Sequence, residues 1–485
     1  MSSPTFTAVD ISSNNSIKTN YAGADDIVSI NITASDTINQ PYVVFQSGGA
    51  AITNTPSYSG SGSQWSTFFT VSSSDTNGAI SFTIDASNAN GSVQTTSTTN
   101  STSVTKVGTT SVTISTSTPQ RIIGSDIDGE LSGDNSGYSV SMSSDGTIVA
   151  IGAPFNDGNG NSSGHVRVYQ RDTNEAIGWK KLGGDIDGEA AYDNSGRSVS
   201  LSSDGTIVAI GAYGNDANGL SSGHVRVYQY SNSSWNRLGD DIDGELSGDY
   251  SGYSVSLSSD GSIVAIGAYN NDGTVSNSNV GHVRVYERDT NEAIGWKQLG
   301  SDIDGENADD YFGQSVSLSS DGTIVAIGAP LNDANGSNSG HVRVYQRDTN
   351  EAIGWKKLGD DIDGESANDQ SGVSVALSSD GTIVAIGANG NGGNGSNSGH
   401  VRVYEYDENK TTAVTDQSSN TFGPAGWNRL GADIDGEDEI DFSGSSVSLS
   451  SDGTIVAIGA YGNDGDSGSI NDNRGHVRVY QYSSG

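Results

Sequence analysis

Ser198-Val199-Ser200-Leu201-Ser202-Ser203-Asp204-Gly205-Thr206-Ile207-Val208-Ala209-Ile210-Gly211-Ala212 carries the pattern that decides the fold. Residues 198–202 alternate polar and apolar, the period of a strand with one face buried. Asp204-Gly205 tolerates positive φ at both positions, as a two-residue hairpin requires. Ile207–Ile210 is apolar on both faces, which suits a central strand covered on each side. Further on, His224-Val225-Arg226-Val227-Tyr228 alternates again, and Trp235-Asn236-Arg237-Leu238-Gly239 supplies a fourth, outer strand.

The same four segments recur six times. Asp-Gly-(Thr/Ser)-Ile-Val-Ala-Ile-Gly-Ala begins at Asp145, Asp204, Asp260, Asp321, Asp380 and Asp452. Gly-His-Val-Arg-Val-Tyr occupies 164–169, 223–228, 281–286, 340–345, 399–404 and 475–480. A period near 60 residues is too long for a solenoid coil and matches a four-stranded propeller blade. The pattern therefore predicts an all-β chain with a six-bladed β-propeller over residues 117–485. Gln120-Arg121-Ile122-Ile123-Gly124-Ser125-Asp126 aligns with a fourth strand, and the last copy stops after its third. Residues 120–126 are thus expected to pair with the C-terminal strands and close the ring, removing unpaired edges. Gln120 stands where Trp recurs, so that blade is less well filled.

Residues 1–116 differ from the rest. The first 118 residues hold two Lys, no Arg and no Glu. Short alternating runs at 27–32, 42–45, 68–71, 80–84 and 112–114, separated by Gly, Asn and Ser, read as a β-sandwich. Trp65 precedes one run and reads as a core residue, with sugar stacking as the sharper alternative.

Composition excludes several functions. The net charge of −37 repels nucleic acid and anionic membranes and favours cations or cationic partners. With no Cys, disulfides, zinc-thiolate sites and thiol nucleophiles are absent. No apolar window is long enough to span a membrane. The first residues form no secretory signal, although composition favours an extracellular or surface-displayed setting.

The candidate site lies where acids recur. Asp-Ile-Asp-Gly-Glu begins at Asp126, Asp185, Asp241, Asp302, Asp361 and Asp433. It sits in the loop from each fourth strand to the next first strand, with a later acid such as Asp134, Asp193, Asp249 or Asp369. The loop from second to third strand adds Asn156-Asp157-Gly158 and its counterparts. These loops share one face of a propeller and hold more than half of the 59 acids. Crowded carboxylates favour a bound cation, and Ca²⁺ accepts six to eight hard oxygens. The candidate ligands are Asp126, Asp128 and Glu130; Asp185, Asp187 and Glu189; Asp241, Asp243 and Glu245; Asp302, Asp304 and Glu306; Asp361, Asp363 and Glu365; and Asp433, Asp435 and Glu437. Solvated acidic turns are the plain alternative. The fifth repeat has Gly392 where others have Asp, so a site using that Asp is weaker there.

All six His lie within the repeats, leaving none to act as a unique general base; a structural hydrogen bond is the reading for each. The recurring Arg, including Arg167 and Arg226, reads as the partner of a nearby acid, and the recurring Trp as core. The inserted segment Asp407–Gly426 and the long loop Tyr461–Arg474 depart from the repeat and are recognition candidates.

Phe312-Gly313-Gln314-Ser315-Val316, followed by Ile327-Gly328-Ala329-Pro330, resembles the FG-GAP repeat of integrin-α-type propellers, and the likeness runs over residues 120–481. Such blades often carry an Asp-rich calcium loop between strands one and two. Here only Ser-Ser-Asp-Gly-Thr stands there, too short to wrap a cation, so Asp145, Asp204 and their equivalents read as turn formers. Asp25–Asp85 resembles bacterial Ig-like repeats, making residues 1–116 an Ig-like sandwich and a spacer. These resemblances imply a non-catalytic adhesion or ligand-binding protein, with a protein or glycan partner on a cell or particle surface. A structural surface or virion component capable of self-assembly, and a polysaccharide-active enzyme, are the alternatives.

Overall fold

The computed structural model describes residues 4–13, 21–22, 27–72, 74–76, 78–96, 104–106, 124–273, 278–419, 421–464 and 474–482. Two compact units form, Met1–Arg121 and Ile122–Gly485.

In the first unit, Ile27–Ala34 alternates as its sequence does, with Val28, Ile30 and Ile32 buried and the residues between them turned outward. It pairs antiparallel with Phe6–Ser13 and Gln64–Thr70. A second sheet is built around Gly78–Asn88, which pairs with Tyr42–Ser47 and Val104–Lys106. The core joins Val9, Ile11, Phe45, Phe69, Phe82 and Ile84 to these residues. Trp65 packs against that core, and its indole N–H donates to the Gly62 carbonyl at 3.3 Å. Residues 112–114 lie outside the described residues.

The second unit consists of six repeated antiparallel sheets. In the second repeat the order is Ser198–Leu201, Ile207–Ala212, His224–Ser231, Ser234–Arg237. The turn between the first two strands is held by Asp204. Its Oδ1 accepts the Ser202 hydroxyl at 2.7 Å and the Thr206 amide at 2.9 Å, while Gly205 takes φ 69°. The central strand is buried throughout its middle, as its two-faced apolar sequence requires. A fifth element, Ile242–Asp243, pairs with the start of the third strand. It recurs in the first five sheets and was not legible as a strand because it spans only two residues.

Successive sheets pack face to face through their apolar strands. Four of the fourth-strand Trp residues reach back to the preceding repeat. The indole N–H groups of Trp235, Trp296, Trp355 and Trp427 donate to the carbonyls of Leu182, Leu238, Leu299 and Leu358 at 2.7–3.0 Å.

The expected closed six-bladed propeller is corrected. No sheet is closed into a ring, and the last holds three strands, Ser443–Leu449, Ile455–Ala460 and His476–Gln481. Gly124–Asp126 adds no strand to it. The Ser125 amide instead donates to Ile177 of the first repeat at 2.7 Å, as Asp240 and Ser301 do to Ile294 and Ile353 of the repeats that follow them. Residues 120–123 lie outside the described residues. Among the described residues the end sheets are more exposed than the sheets between them. Val477 and Val479 are 69% and 57% exposed, whereas their counterparts Val225 and Val227 are buried. At the other end Val140 and Met142 are 65% and 58% exposed, against buried Val199 and Leu201. The loop before the first repeat docks forward as the loops at Asp240, Ser301 and Asp360 do, and among the described residues no strand pairs with the outer edge of the last sheet.

Candidate functional site

The β-ladder builds the site. In five repeats the His that opens the third strand stands opposite the middle Asp of Asp-Ile-Asp-Gly-Glu: His165 and Asp187, His224 and Asp243, His282 and Asp304, His341 and Asp363, His400 and Asp435. Side chains alternate along a strand, so the Arg two residues after each His and the Asp two residues before each middle Asp point to the same face. The Ile between the two aspartates points inward, and Ile186, Ile242, Ile303 and Ile362 are buried. Two acids, a His and an Arg therefore converge in each repeat.

Ion pairing then divides each motif. Arg226 donates from Nε and from one terminal nitrogen to the two oxygens of Asp241, both at 2.8 Å, and also pairs with Glu189 of the preceding motif. Arg284 holds Asp302 and Glu245, Arg343 holds Asp361 and Glu306, and Arg402 holds Asp433 and Glu365. Arg478 pairs with Glu437. Asp241 and Glu245 belong to one motif yet serve Arg226 and Arg284 of different repeats. The structure thus brings together the Glu of one motif and the aspartates of the next, rather than the three acids of a single motif. Ion pairs in this bidentate form are strong and directional. The first motif is the exception: Asp126, Asp128 and Glu130 are exposed, with Arg167 3.6 Å from Glu130 and donating to the Asp128 carbonyl at 2.7 Å.

The middle aspartates have a different environment. His341 Nδ1 lies 3.9 Å from Asp363 Oδ1, and both atoms are buried without a hydrogen-bond partner. Burial, reinforced by the neighbouring Asp361 charge, pushes the Asp363 carboxyl up to about 6. The same two causes raise Asp187 and Asp243. Burial, with Arg343 beside it, draws His341 down to about 4. Glu130–His165–Asp185, Glu189–His224–Asp241, Glu245–His282–Asp302, His341–Asp361–Asp363 and Glu365–His400–Asp433 each place their ligand atoms within 4.8 Å of one another, a spacing compatible with a metal ion.

Charge differs between repeats. A Lys or Arg four residues upstream touches the first Asp of four motifs: Lys181 on Asp185, Arg237 on Asp241, Lys357 on Asp361 and Arg429 on Asp433, the last three of which also hold the third-strand Arg. In the third repeat Gln298 takes that place and donates to Asp302 at 2.6 Å. Here Glu245, Asp272, Asp302, Asp304 and Glu306 line a cleft of about 600 Å³. The fifth repeat has a comparable cleft lined by Glu365, Asp433 and Asp435, with Gly392 in place of Asp272.

The later acids are not on the rim. Asp134, Asp193, Asp249 and Asp369 are buried. Asp193 accepts the Ala190 amide at 3.0 Å and the Asn215 side-chain amide at 3.3 Å, stapling the two loops together. Sequence did hold a signal for this: an Asn recurs 22 residues after each such Asp. Asp145 and its equivalents hold turns, as the short loop implies. Trp296, Trp355 and Trp427 are buried and present no stacking surface.

Repeated antiparallel sheets and acid motifs divided between neighbouring repeats define a repeat protein. Residues 119–169, 186–228 and 303–345 match the FG-GAP repeat. Among curated proteins none matches the chain. A titin M10–obscurin-like 1 Ig complex aligns at 16% identity over 22% of this chain and 97% of that chain, with a TM-score of 0.15. The tricorn protease aligns at 11% identity over 93% of this chain and 46% of that chain, TM-score 0.35. The Pyrococcus horikoshii acylaminoacyl peptidase aligns at 9% identity over 80% and 44%, TM-score 0.31. The chain spans less than half the length of these two peptidases, and likeness at this level carries no functional argument. Among the described residues no helix is long and apolar enough to cross a membrane.

Proposed function

We propose that this chain is a non-catalytic adhesion or ligand-binding protein, secreted or displayed on a surface, that uses the acidic loops of its repeats for calcium-dependent recognition of a protein or glycan. The observation that carries this reading is the third-repeat cleft, where five carboxylates face one space without the upstream Lys or Arg found in four other motifs. Calcium suits it, because carboxylate and carbonyl oxygens in tolerant geometry are its preferred ligands. Glu245, Asp302 and Asp304 would hold the ion there. The equivalent sets in other repeats bind more weakly, because Lys or Arg already offsets their charge. The first unit serves as an Ig-like spacer.

Calorimetric titration of the full chain with Ca²⁺ is expected to show heat and a rise in Tm, both reduced by Asp304→Asn. Attachment of the immobilised protein to cells is expected to fall in EDTA. Absence of heat and of any thermal shift overturns the calcium reading. The exposed Val140 and Val477, which line one cavity, favour one second reading, a structural component that assembles with further copies of the chain. Sedimentation that rises with concentration without added ligand would support it.

A further inference from the structure

A cavity of about 1080 Å³ is lined by residues from the first strands of all six repeats, from Tyr138 through Arg197, Tyr253, Gln314 and Ser374 to Ser446. Its lining contrasts with the rest of the chain. Acids outnumber Lys and Arg by 59 to 22 overall, yet no described residue lining this cavity is Asp or Glu. Its basic groups are Arg197, Arg474 and His476, and Tyr138, Tyr253 and Tyr461 also line it. The first strands that border the cavity contribute Ser and Val to it, with Tyr138, Arg197 and Tyr253 standing just before three of them.

Arg197 is held in an unusual way for so acidic a protein. Its guanidinium stacks over Tyr253 at 3.9 Å and over Tyr138 at 4.7 Å from the ring centroids. No described acid comes within ion-pairing distance of it. Two aromatic rings hold the cation, and no described group hydrogen-bonds its N–H donors. A guanidinium so held matches a carboxylate or sulfate, which accepts two parallel N–H bonds. Around the cavity, Tyr138 and Tyr461 are exposed rings, Gln314 offers an amide, and the hydroxyls of Ser139, Ser198 and Ser254, which donate to the carbonyls of Gly196, Gly252 and Gly313, can accept from a ligand hydroxyl.

We propose that this cavity is a binding site for an acidic saccharide. Arg197 takes the carboxylate or sulfate, the exposed tyrosine rings take the apolar face of a sugar ring, and the Ser and amide groups take its hydroxyls. The site is separate from the acidic loops and requires no metal.

Isothermal titration of the full chain in EDTA with a galacturonic acid trimer, a sulfated galactose trimer and a neutral galactose trimer tests it. The carboxylated or the sulfated trimer, whichever matches the guanidinium better, is expected to bind, and the neutral one at least tenfold more weakly. Arg197→Gln is expected to weaken binding at least tenfold, and Arg197→Lys, which keeps the charge but loses the fork, by less. Tyr138→Ala, at an exposed position, provides a second variant should the Arg197 variants fail to fold. No binding of either acidic trimer, equal binding of the neutral one, or unchanged affinity in Arg197→Gln and Tyr138→Ala overturns the proposal. Because calcium is absent throughout, failure of the loop reading does not affect the outcome.

Discussion

At the residue scale the middle aspartates are the informative positions. Asp363 is raised from 3.8 to about 6 by burial and by Asp361. A carboxyl raised on folding is stabilising as the acid below its unfolded pKa and becomes unfavourable as pH rises through the folded value. A shift of that size amounts to about 3 kcal/mol, cut to roughly 1–2 kcal/mol because a third of the side chain is open to solvent. Asp363→Asn is therefore expected to raise Tm at pH 8 and to leave it nearly unchanged at pH 4, measured by thermal denaturation at both. His341 acts in the opposite direction. Lowered to about 4, its neutral form supports the fold above pH 6.5, and that support fades as pH falls through 4. Calcium would partly replace the pH effect at Asp304 by neutralising a carboxyl that burial also raises.

At the element scale, stability resides between sheets. Trp355 is buried and donates to Leu299 of the preceding repeat, so Trp355→Phe removes that bond and leaves a buried carbonyl unsatisfied. A loss of about 1–3 kcal/mol by urea denaturation is expected. The Asp-Gly turns pack just as closely. Gly322 has φ 70°, and a Cβ there would stand 2.6 Å from Cδ1 and 2.8 Å from Cβ of Ile263 in the preceding repeat. Gly248 has φ 90° with nothing within 4 Å. Both Gly→Ala variants carry the backbone penalty of about 1 kcal/mol, but only Gly322→Ala adds a steric one. Equal Tm losses would show that the turn does not touch its neighbour. The repeat motifs made these turns and strands legible, whereas the two-residue fifth strand was too short to leave a periodic signature.

At the scale of the whole molecule, two properties matter: charge and the more exposed end sheets. A net charge of −37 repels itself, so added NaCl is expected to raise Tm until the charges are screened, with most of the gain reached near 0.1 M, where the screening length is about 10 Å. A Tm that falls with salt would show that the Arg–carboxylate network outweighs the repulsion. The ends predict a contrast between equivalent valines. Val225→Thr buries a hydroxyl between packed sheets and is expected to cost about 1–3 kcal/mol, whereas Val477→Thr, exposed in the last sheet, is expected to cost little. Comparable losses at both positions would mean that something covers the last sheet in solution.

Alternation, turn dipeptides and six recurring motifs determined the strands, their antiparallel order and the repeat to which each belongs, because hydrophobic period and hairpin chemistry act over a few residues. The register of His against Asp, the partition of one acid motif between two Arg residues and the acid-free lining of the cavity were decided only in three dimensions. Each depends on which side chain a neighbouring strand or sheet places opposite, and a motif read along the chain does not contain its cross-strand partner. Ring closure failed as an expectation for the same reason: copy number counts strands, but which edge a strand pairs with is set by its cross-strand neighbours.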